Sequence, residues 1–266
     1  MDYINDKVRQ KFYASTAPAL AGANGRYIEM DYQEVQMYGD VMLMLKKQWN
    51  KWSVDAAIGA SVNDKTVNST RYDSKTASLK YANIFNLANI VMDGSAVLEQ
   101  KIDARRQLQS LFGTVQLGYA DRVYLDMTAR NDWASTLAYT AHEKSGFFYP
   151  SVGFSWILNK SFALPEWISF AKVRGAYSMV GNDIPMFITN PTSTITAGGE
   201  FLANDAAPFK DMEPEMTHSF EAGVEARFLN SRIEMNATFY KTNTHNQFFK
   251  LPTLSGDKYL SLIHIS

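Results

Sequence analysis

The side chains that could support catalysis or metal binding are scattered along the chain. The four histidines, His142, His218, His245 and His264, have neither the spacing of metal ligands nor an HExxH motif. The chain contains no cysteine, which excludes thiolate metal sites, cysteine nucleophiles and disulfides. We therefore predict that the chain has no metal centre and no bound cofactor.

Two residue pairs have types suited to acid–base catalysis, Asp132 with His142 and Asp183 with Asp205. Both lie in polar segments of the kind found in exposed loops, where such groups maintain solubility. The Gly198–Gly199 pair lacks the strand-to-helix context of a phosphate-binding loop. The sequence thus predicts a protein that is not an enzyme.

Composition limits the classes of partner. A formal net charge of -1 and the absence of a basic stripe argue against nucleic-acid binding. The longest apolar runs, such as VMLML at 41–45, are far shorter than the roughly 20 residues of a membrane-spanning helix. If the chain contacts a bilayer, it must do so with β-strands.

Apolar and polar residues alternate with the period of two that indicates β-strands. In the segment 219–228, Phe220, Val224 and Phe228 share one face with two alanines, and charged residues lie on the other. A turn at 229–231 leads into a second alternating segment, 233–239. These two segments are predicted to form a hairpin with matching faces.

Three further hairpins repeat this plan: 41–45 with 52–62 around Asn50 and Lys51, 111–119 with 123–129 around Ala120 and Asp121, and 152–158 with 167–177 around Leu164 and Pro165. The connections at the opposite ends, 63–101, 131–146 and 181–214, are longer and polar. Short turns at one end and long loops at the other are typical of membrane barrels. We predict an all-β fold, an antiparallel transmembrane β-barrel section of about nine strands, with an open curved sheet.

In such a barrel the polar face lines a wet lumen and the apolar face contacts lipid. The predicted lumen-facing residues are Lys172, Arg174, Glu221, Glu225, Arg227, Arg232 and Glu234. Four tryptophans, Trp49, Trp52, Trp156 and Trp167, fall near the short turns or on apolar faces, where they are candidates for an interfacial girdle. Ordinary cross-strand packing is the alternative for each of them.

Two segments resemble the SusC/RagA family of TonB-linked outer-membrane importers. The stretch Ala129–Asn182 contains RNDWASTL, FYPSVGFSW and KVRGAYSMVGN in the family's order, and 211–248, beginning DMEPEMTHSFEAGVEARFLNSR, also follows its pattern. The resemblance implies a wall section of a 22-stranded barrel in the bacterial outer membrane. It assigns 1–250 to a partial barrel domain and leaves 251–266 as a truncated tail, with a non-native origin left open; a plug domain, TonB box and signal peptide are absent from the chain.

The same resemblance implies function and partners. The family imports glycans or peptides, so the implied substrate is an oligosaccharide or a peptide. The implied partners are outer-membrane lipid, a SusD-like lipoprotein, and TonB, which would act through the missing plug region. A soluble or surface-exposed β-rich carbohydrate-binding module and a small self-contained barrel are the alternatives, because alternating strands also occur in soluble sheets.

Possible substrate contacts lie where strands enter the long loops. Trp133 beside Asp132 combines an aromatic platform with a carboxylate, a pairing that suits sugars. The polar loop 181–214 supplies Asn182, Asp183, Asn204 and Asp205. By family analogy this loop contributes to the substrate cavity or to the lipoprotein contact.

Overall fold

The computed structural model describes residues 1–75, 79–91, 96–189, 194–195, 201–202, 211–250 and 262–265. Its strands are β1 (Asp2–Phe12), β2 (Arg26–Trp49), β3 (Trp52–Asp73), β4 (Val97–Tyr119), β5 (Val123–Ala134), β6 (Phe147–Ile157), β7 (Ile168–Asn182), β8 (Thr194–Ile195), β9 (Phe201–Leu202), β10 (Glu215–Phe228), β11 (Ile233–His245), β12 (Gln247–Lys250) and β13 (Leu262–Ile265).

Nine strands form one antiparallel sheet in the order β1-β2-β3-β4-β5-β6-β7-β10-β11. The pairs β8–β9 and β12–β13 form two small separate sheets. The only α-helix in the described ranges is the four-residue α1 (Pro18–Ala21), and none of their helices is long and apolar enough to cross a membrane. The predicted all-β fold, with nine strands in an open sheet, is confirmed.

Three of the four predicted short connections are confirmed, whereas the fourth, predicted around Leu164 and Pro165, is a longer segment between Ile157 and Ile168. The β2–β3 turn contains Asn50 at φ 53°, and the β4–β5 turn contains Ala120 at 52° and Asp121 at 54°. The β10–β11 turn has three consecutive left-handed residues, Leu229, Asn230 and Ser231. A 3-10 turn at Leu158–Lys160 begins the longer β6–β7 connection. Four of the sheet's hairpins therefore close at the same end.

The predicted long connections are partly wrong, because the strands extend further than expected. Residues 63–73 continue β3 and residues 97–101 belong to β4, although both segments were predicted as loop. Likewise β5 continues to Ala134. In these extensions the apolar–polar alternation is lost, so the sequence carries no strand signal although the backbone ladder continues.

The register divides the sheet into two faces. One face, which we call the apolar face, carries the β3 residues Trp52, Val54, Ala56, Ile58, Ala60 and Val62. It also carries the residues in register with them on the other strands, among them Leu43, Leu111, Met127, Phe154 and Val224. The polar face carries Ser53, Asp55, Ser61 and Asn63 with their partners. Apolar side chains on the first face are strongly exposed, with Val41 at 72% and Leu43 at 73%.

The apolar face forms a band of limited height. On β3 it runs from Trp52 to Val62 and ends at Asp64. Ten residue steps at about 3.3 Å, tilted by about 45°, give a height of about 23 Å. This matches the apolar belt of about 25 Å on transmembrane barrels.

The enclosed hydrophobic clusters lie under the long loops. Tyr27, Leu79, Ile90 and Ala96 form one cluster, with Tyr72 and Phe85 packed against it. Leu137, Ile184 and Met212 form a second, with Ala134, Phe147 and Ile188 at its edge. These clusters anchor the loops to the strand ends.

Candidate functional site

The charged residues predicted to face a lumen come together on the polar face of β7, β10 and β11. Lys172 is the register partner of Glu225, and Arg227 is the register partner of Glu234. Arg174 contacts Glu221 at 3.3 Å. The six strand residues of the predicted set thus share one face, whereas Arg232 lies in the β10–β11 turn.

These ions form a ladder of alternating sign. Arg227 bonds Glu225 at 2.9 Å and approaches Glu234 at 3.8 Å. Arg174 also donates to the Thr238 hydroxyl at 2.8 Å. A Cβ at Gly223 would meet Arg174 Nε at 2.7 Å, so the glycine makes room for the guanidinium. The ladder presents paired, partly exposed charges.

A row of small hydroxyl side chains crosses the polar face above this ladder. Its members are register partners on six successive strands: Thr114, Thr128, Ser151, Ser178, Ser219 and Thr242. Thr128 and Ser151 are hydrogen bonded at 2.6 Å. Because a hydroxyl both donates and accepts, this row can bond polar groups of either kind.

The polar face also contains one apolar patch. Met42, Met44 and Phe112 lie on it, and Phe112 covers Gly59, where a Cβ would meet the ring at 2.6 Å. Met42 and Met44 are exposed. The VMLML run is therefore apolar on both faces of β2, and its two methionines offer flexible apolar contacts.

Asp132 and Trp133 do not form a joint binding surface. As neighbours on β5 they point to opposite faces, with Asp132 opposite Ser110 and Trp133 opposite Gln109. Asp132 accepts from Arg130 Nε at 2.7 Å on the polar face. Trp133 lies at the upper end of the apolar band. The predicted pairing of a ring with its adjacent carboxylate is wrong, because successive strand side chains alternate.

Asp183 ties the loop after β7 to the sheet. It accepts from Arg106 Nε at 2.6 Å, from the Thr136 hydroxyl and from the N–H of Ile184 at 2.8 Å. Asn182 ends β7 opposite Glu215. The predicted contacts Asn204 and Asp205 lie outside the described residues.

Aromatic side chains line the short-turn end of the apolar face. Trp49 and Trp52 are register partners, and the Trp52 ring lies 4.7 Å from that of Tyr119. Trp156 belongs to the same register row and donates to Ser161 Oγ at 2.8 Å. Trp167, in the β6–β7 connection, stacks on Phe228 at 5.7 Å. The four predicted girdle tryptophans thus occur at one end of the sheet.

Ion pairs replace apolar side chains where the strands pass the upper end of the band. Asp64 accepts from Arg105 and from Gln107, and the hydrogen bond from Arg105 lowers the pKa of Asp64 below its ordinary value. On the polar face, Lys65 contacts Glu34 at 2.7 Å and lowers its pKa in the same way. These strand extensions therefore carry charge on both faces.

Of the histidines described with side chains, His218 and His245 lie together and His142 lies apart from them. The Tyr177 hydroxyl and His218 Nδ1 are 2.8 Å apart, and His245 lies edge-on to His218. His142 is 3.4 Å from Glu213. Within the described ranges no three His, Cys, Asp or Glu side chains are grouped as metal ligands would be.

Sequence reasoning missed Arg106 and Ser110 as parts of the polar surface, whereas the alternation of β5 placed Arg130 there. Arg130 donates to both Asp132 and Ser110, the latter at 2.7 Å. Arg106 and Asp183 are 77 positions apart in the chain. The alternation of β5 indicates that Arg130 lies on the polar face, whereas no local pattern in the sequence indicates the Arg106–Asp183 pair.

Comparisons of the sequence with protein families and with known proteins identify the same family. A family model described as "TonB dependent receptor-like, beta-barrel" matches residues 2–261. "TonB-dependent receptor P26" of Formosa agariphila is 27% identical over 150 residues, which cover 52% of this chain and 15% of that protein.

Solved structures show the same fold. The RagAB peptide transporter structure has a TM-score of 0.74 at 19% identity, and the match covers 99% of this chain and 29% of that one. The RagAB peptide importer in its open-open state gives 0.68 at 20% identity, covering 91% and 27%. The FpvAI–pyocin S2 complex gives 0.58 at 14% identity, covering 98% and 33%. The chain thus spans about a third or less of each similar protein.

Proposed function

Since the chain belongs to the TonB dependent receptor-like β-barrel family, a family of outer-membrane receptors and transporters rather than enzymes, we propose that it forms a wall section of a nutrient importer. In this proposal the nine-stranded sheet is continued by further strands into a larger barrel. The polar face lines the transport lumen, and the apolar face contacts the bilayer.

The exposed apolar band is the observation that carries this proposal. Val41, Leu43 and Ile58 have exposed fractions of 72%, 73% and 57% on a sheet whose other face is polar. A soluble protein covers a continuous apolar face of this size. Lipid supplies that cover here, and the tryptophans at the short-turn end lie at one membrane interface.

The substrate is an oligosaccharide or a peptide. The RagAB structures are described as those of a peptide importer. The polar face supports a peptide in particular, because it combines paired charges and hydroxyls with the apolar patch of Met42, Met44 and Phe112. Methionine side chains adapt to apolar groups of differing shape, as a mixed set of peptides requires.

The proposed partners follow from the family. TonB energises import through a plug region elsewhere in the full-length protein, and a SusD-like lipoprotein covers the extracellular mouth. Among the predicted substrate contacts, Asp132 lies on the polar face, and we propose that it contacts the substrate. For Asn182 and Asp183 we propose shaping of the loop that borders the cavity. Trp133 is assigned to the membrane interface instead.

Single cysteines test the membrane assignment, because the chain itself has none. In the full-length protein in intact outer membranes, Ile58→Cys should resist a charged maleimide and react once SDS has removed the lipid. Thr70→Cys, on the same strand and face but above the band, is the matched control and should react in both states.

Equal reaction of Ile58→Cys before and after lipid removal would contradict the proposal. That result would favour the soluble carbohydrate-binding module. Transport is tested separately by uptake of fluorescent peptides and oligosaccharides into cells that carry the full-length protein. Failure to import either class while Ile58→Cys remains protected would leave a membrane barrel with another cargo.

A further inference from the structure

The apolar face is not evenly filled, because a groove crosses its upper end. The groove has a volume of about 720 Å³ and is lined by Gly39, Val41, Ala60, Val62, Leu111 and Trp133, with Gln109 at its rim. Gly39 and Ala60 form its floor because their side chains are absent or small. Val41, Val62 and Leu111 form its walls.

The groove lies at the upper boundary of the membrane band. Val62, Gln109 and Trp133 are register partners in one row, and Asp64 and Gln107 begin the polar row above. Tryptophan favours this depth because its ring is amphipathic. The groove therefore opens into the leaflet nearest the long loops, which is the outer leaflet.

A hydrogen-bonded chain of polar side chains extends upward from the groove. Gln109 donates to Gln107 at 3.1 Å, Gln107 donates to Asp64 at 2.8 Å, and Arg105 donates to the same carboxylate at 3.0 Å. The Arg105 side chain is 63% exposed. Its Nε and Nη2 donate to Asp64, and its Nη1 is the guanidinium nitrogen that remains to donate to a lipid phosphate, a group that arginine binds well.

From this arrangement we propose that the groove binds one acyl chain of an outer-leaflet lipid, with the lipid's phosphate against Arg105. The inference rests on the proposed membrane function, because the groove is continuous with the lipid-contacting band. The partner is a lipid and not a second copy of the chain, because an apolar groove below a cationic side chain matches an acyl chain below a phosphate.

Filling the groove tests the proposal. A Cβ at Gly39 has its nearest neighbour, Val62, at 4.0 Å and the backbone is unstrained, so Gly39→Leu is accommodated. Gly175→Leu is the matched control, since Gly175 lies on the same face outside the groove and its Cβ would be 3.7 Å from the nearest atom. The full-length protein, extracted in mild detergent, is examined by native mass spectrometry for retained lipid.

The wild type and Gly175→Leu should retain a lipid, and Gly39→Leu should lower its occupancy at least about tenfold. Equal occupancy in all three proteins would overturn the proposal. If Gly39→Leu fails to assemble, a photoactivatable benzophenone attached to Val62→Cys tests the proposal instead. Crosslinks to lipid would support lipid binding in the groove, and crosslinks to another copy of the protein would overturn it. Protection of Ile58→Cys from charged maleimide reports the membrane assignment independently, so failure of the lipid site and failure of the proposed function can be distinguished.

Discussion

Arg26 and Asp73 form a two-pronged ion pair at the loop ends of β2 and β3, with Nε to Oδ1 at 2.8 Å and Nη2 to Oδ2 at 2.7 Å. The Asp73 side chain is fully buried, and it also accepts from the N–H of Lys75 at 2.9 Å. The pair thereby joins two long strands to the loop that carries the Tyr27 cluster.

Replacing Asp73 with Asn should loosen this corner. The change removes the charge but keeps the size, and it leaves Arg26 without its ionic partner. We expect local opening to become easier by about 1.5–3 kcal/mol, the range for hydrogen bonds to charged groups. Hydrogen exchange at the amides of Ser74 and Lys75 measures this change in the full-length protein.

Glu99→Gln is the control for that variant. Glu99 contacts Arg71 at 3.3 Å, but its side chain is 59% exposed. Exposed pairs contribute about 0–1 kcal/mol, so exchange at Ser74 should change little. An equal effect of the two variants would show that burial of Asp73 is not what stabilises the corner.

The same corner should respond to acid. Burial alone would raise the pKa of Asp73, but hydrogen bonds from Arg26 and from the Lys75 N–H outweigh it and lower that pKa below its ordinary value. A lowered folded-state pKa contributes stability that is present above the unfolded value of about 3.9 and is lost as pH falls below it. Exchange at Ser74 should therefore stay constant from pH 7 to about 5, after correction for the intrinsic rate, and increase below about 4.

In Asp73→Asn this acid response should disappear at Ser74. If exchange at Ser74 still increases by the same factor in acid in this variant, groups other than Asp73 cause the increase. Glu34 and Asp64 are examples, because basic neighbours also lower their pKa values.

Close packing of Gly59 against Phe112 predicts a site that does not tolerate a side chain. A Cβ at Gly59 would lie 2.6 Å from the Phe112 ring and 2.7 Å from the carbonyl oxygen of Val41. Gly59→Ala should destabilise the sheet by about 1–3 kcal/mol, as overpacking does. Gly113→Ala is the control, because its Cβ would lie 3.5 Å from the nearest atom.

The heat-modifiable mobility of the folded barrel on SDS gels provides the measurement. Gly59→Ala should unfold at a lower temperature than the wild type, and Gly113→Ala should not. Equal unfolding temperatures for the two variants would mean that Phe112 moves aside without cost.

The β10–β11 turn holds a leucine in a conformation that favours glycine. Leu229 has φ 52°, and a left-handed backbone costs an ordinary side chain about 1–2 kcal/mol. Leu229→Gly should therefore recover up to about 1 kcal/mol, partly offset by greater freedom of the unfolded chain. Asn230→Gly should gain less, because asparagine tolerates φ 58° better. Urea unfolding in lipid bilayers compares the two, and a larger gain for Asn230→Gly would contradict the argument.

The sequence predicted the sheet where apolar and polar side chains alternate and missed it where that alternation is lost. Between Trp52 and Val62 the alternation located the strand, its turn and its faces. Between Asn63 and Asp73 all side chains except Val67 and Tyr72 are polar, so the backbone pairing and not an alternating pattern defines the strand. Long-range pairs such as Arg106 with Asp183 depend on how loops fold back, which no local pattern encodes. For Trp133, the sequence placed the ring at a strand end, and the register with Gln109 decided its face.

Trp52 and Trp133 provide the sharpest test of the membrane orientation, because they lie on the same face at opposite ends of the apolar band. In a bilayer both rings should lie near headgroups, one in each leaflet. We expect a quencher attached to lipid headgroups, confined to the leaflet nearest the long loops, to quench a full-length variant that retains only Trp133. The variant that retains only Trp52 should be quenched only from the other leaflet. Equal quenching of both from one leaflet would contradict a sheet that spans the membrane, and quenching of either by aqueous iodide alone would place that ring outside the interface.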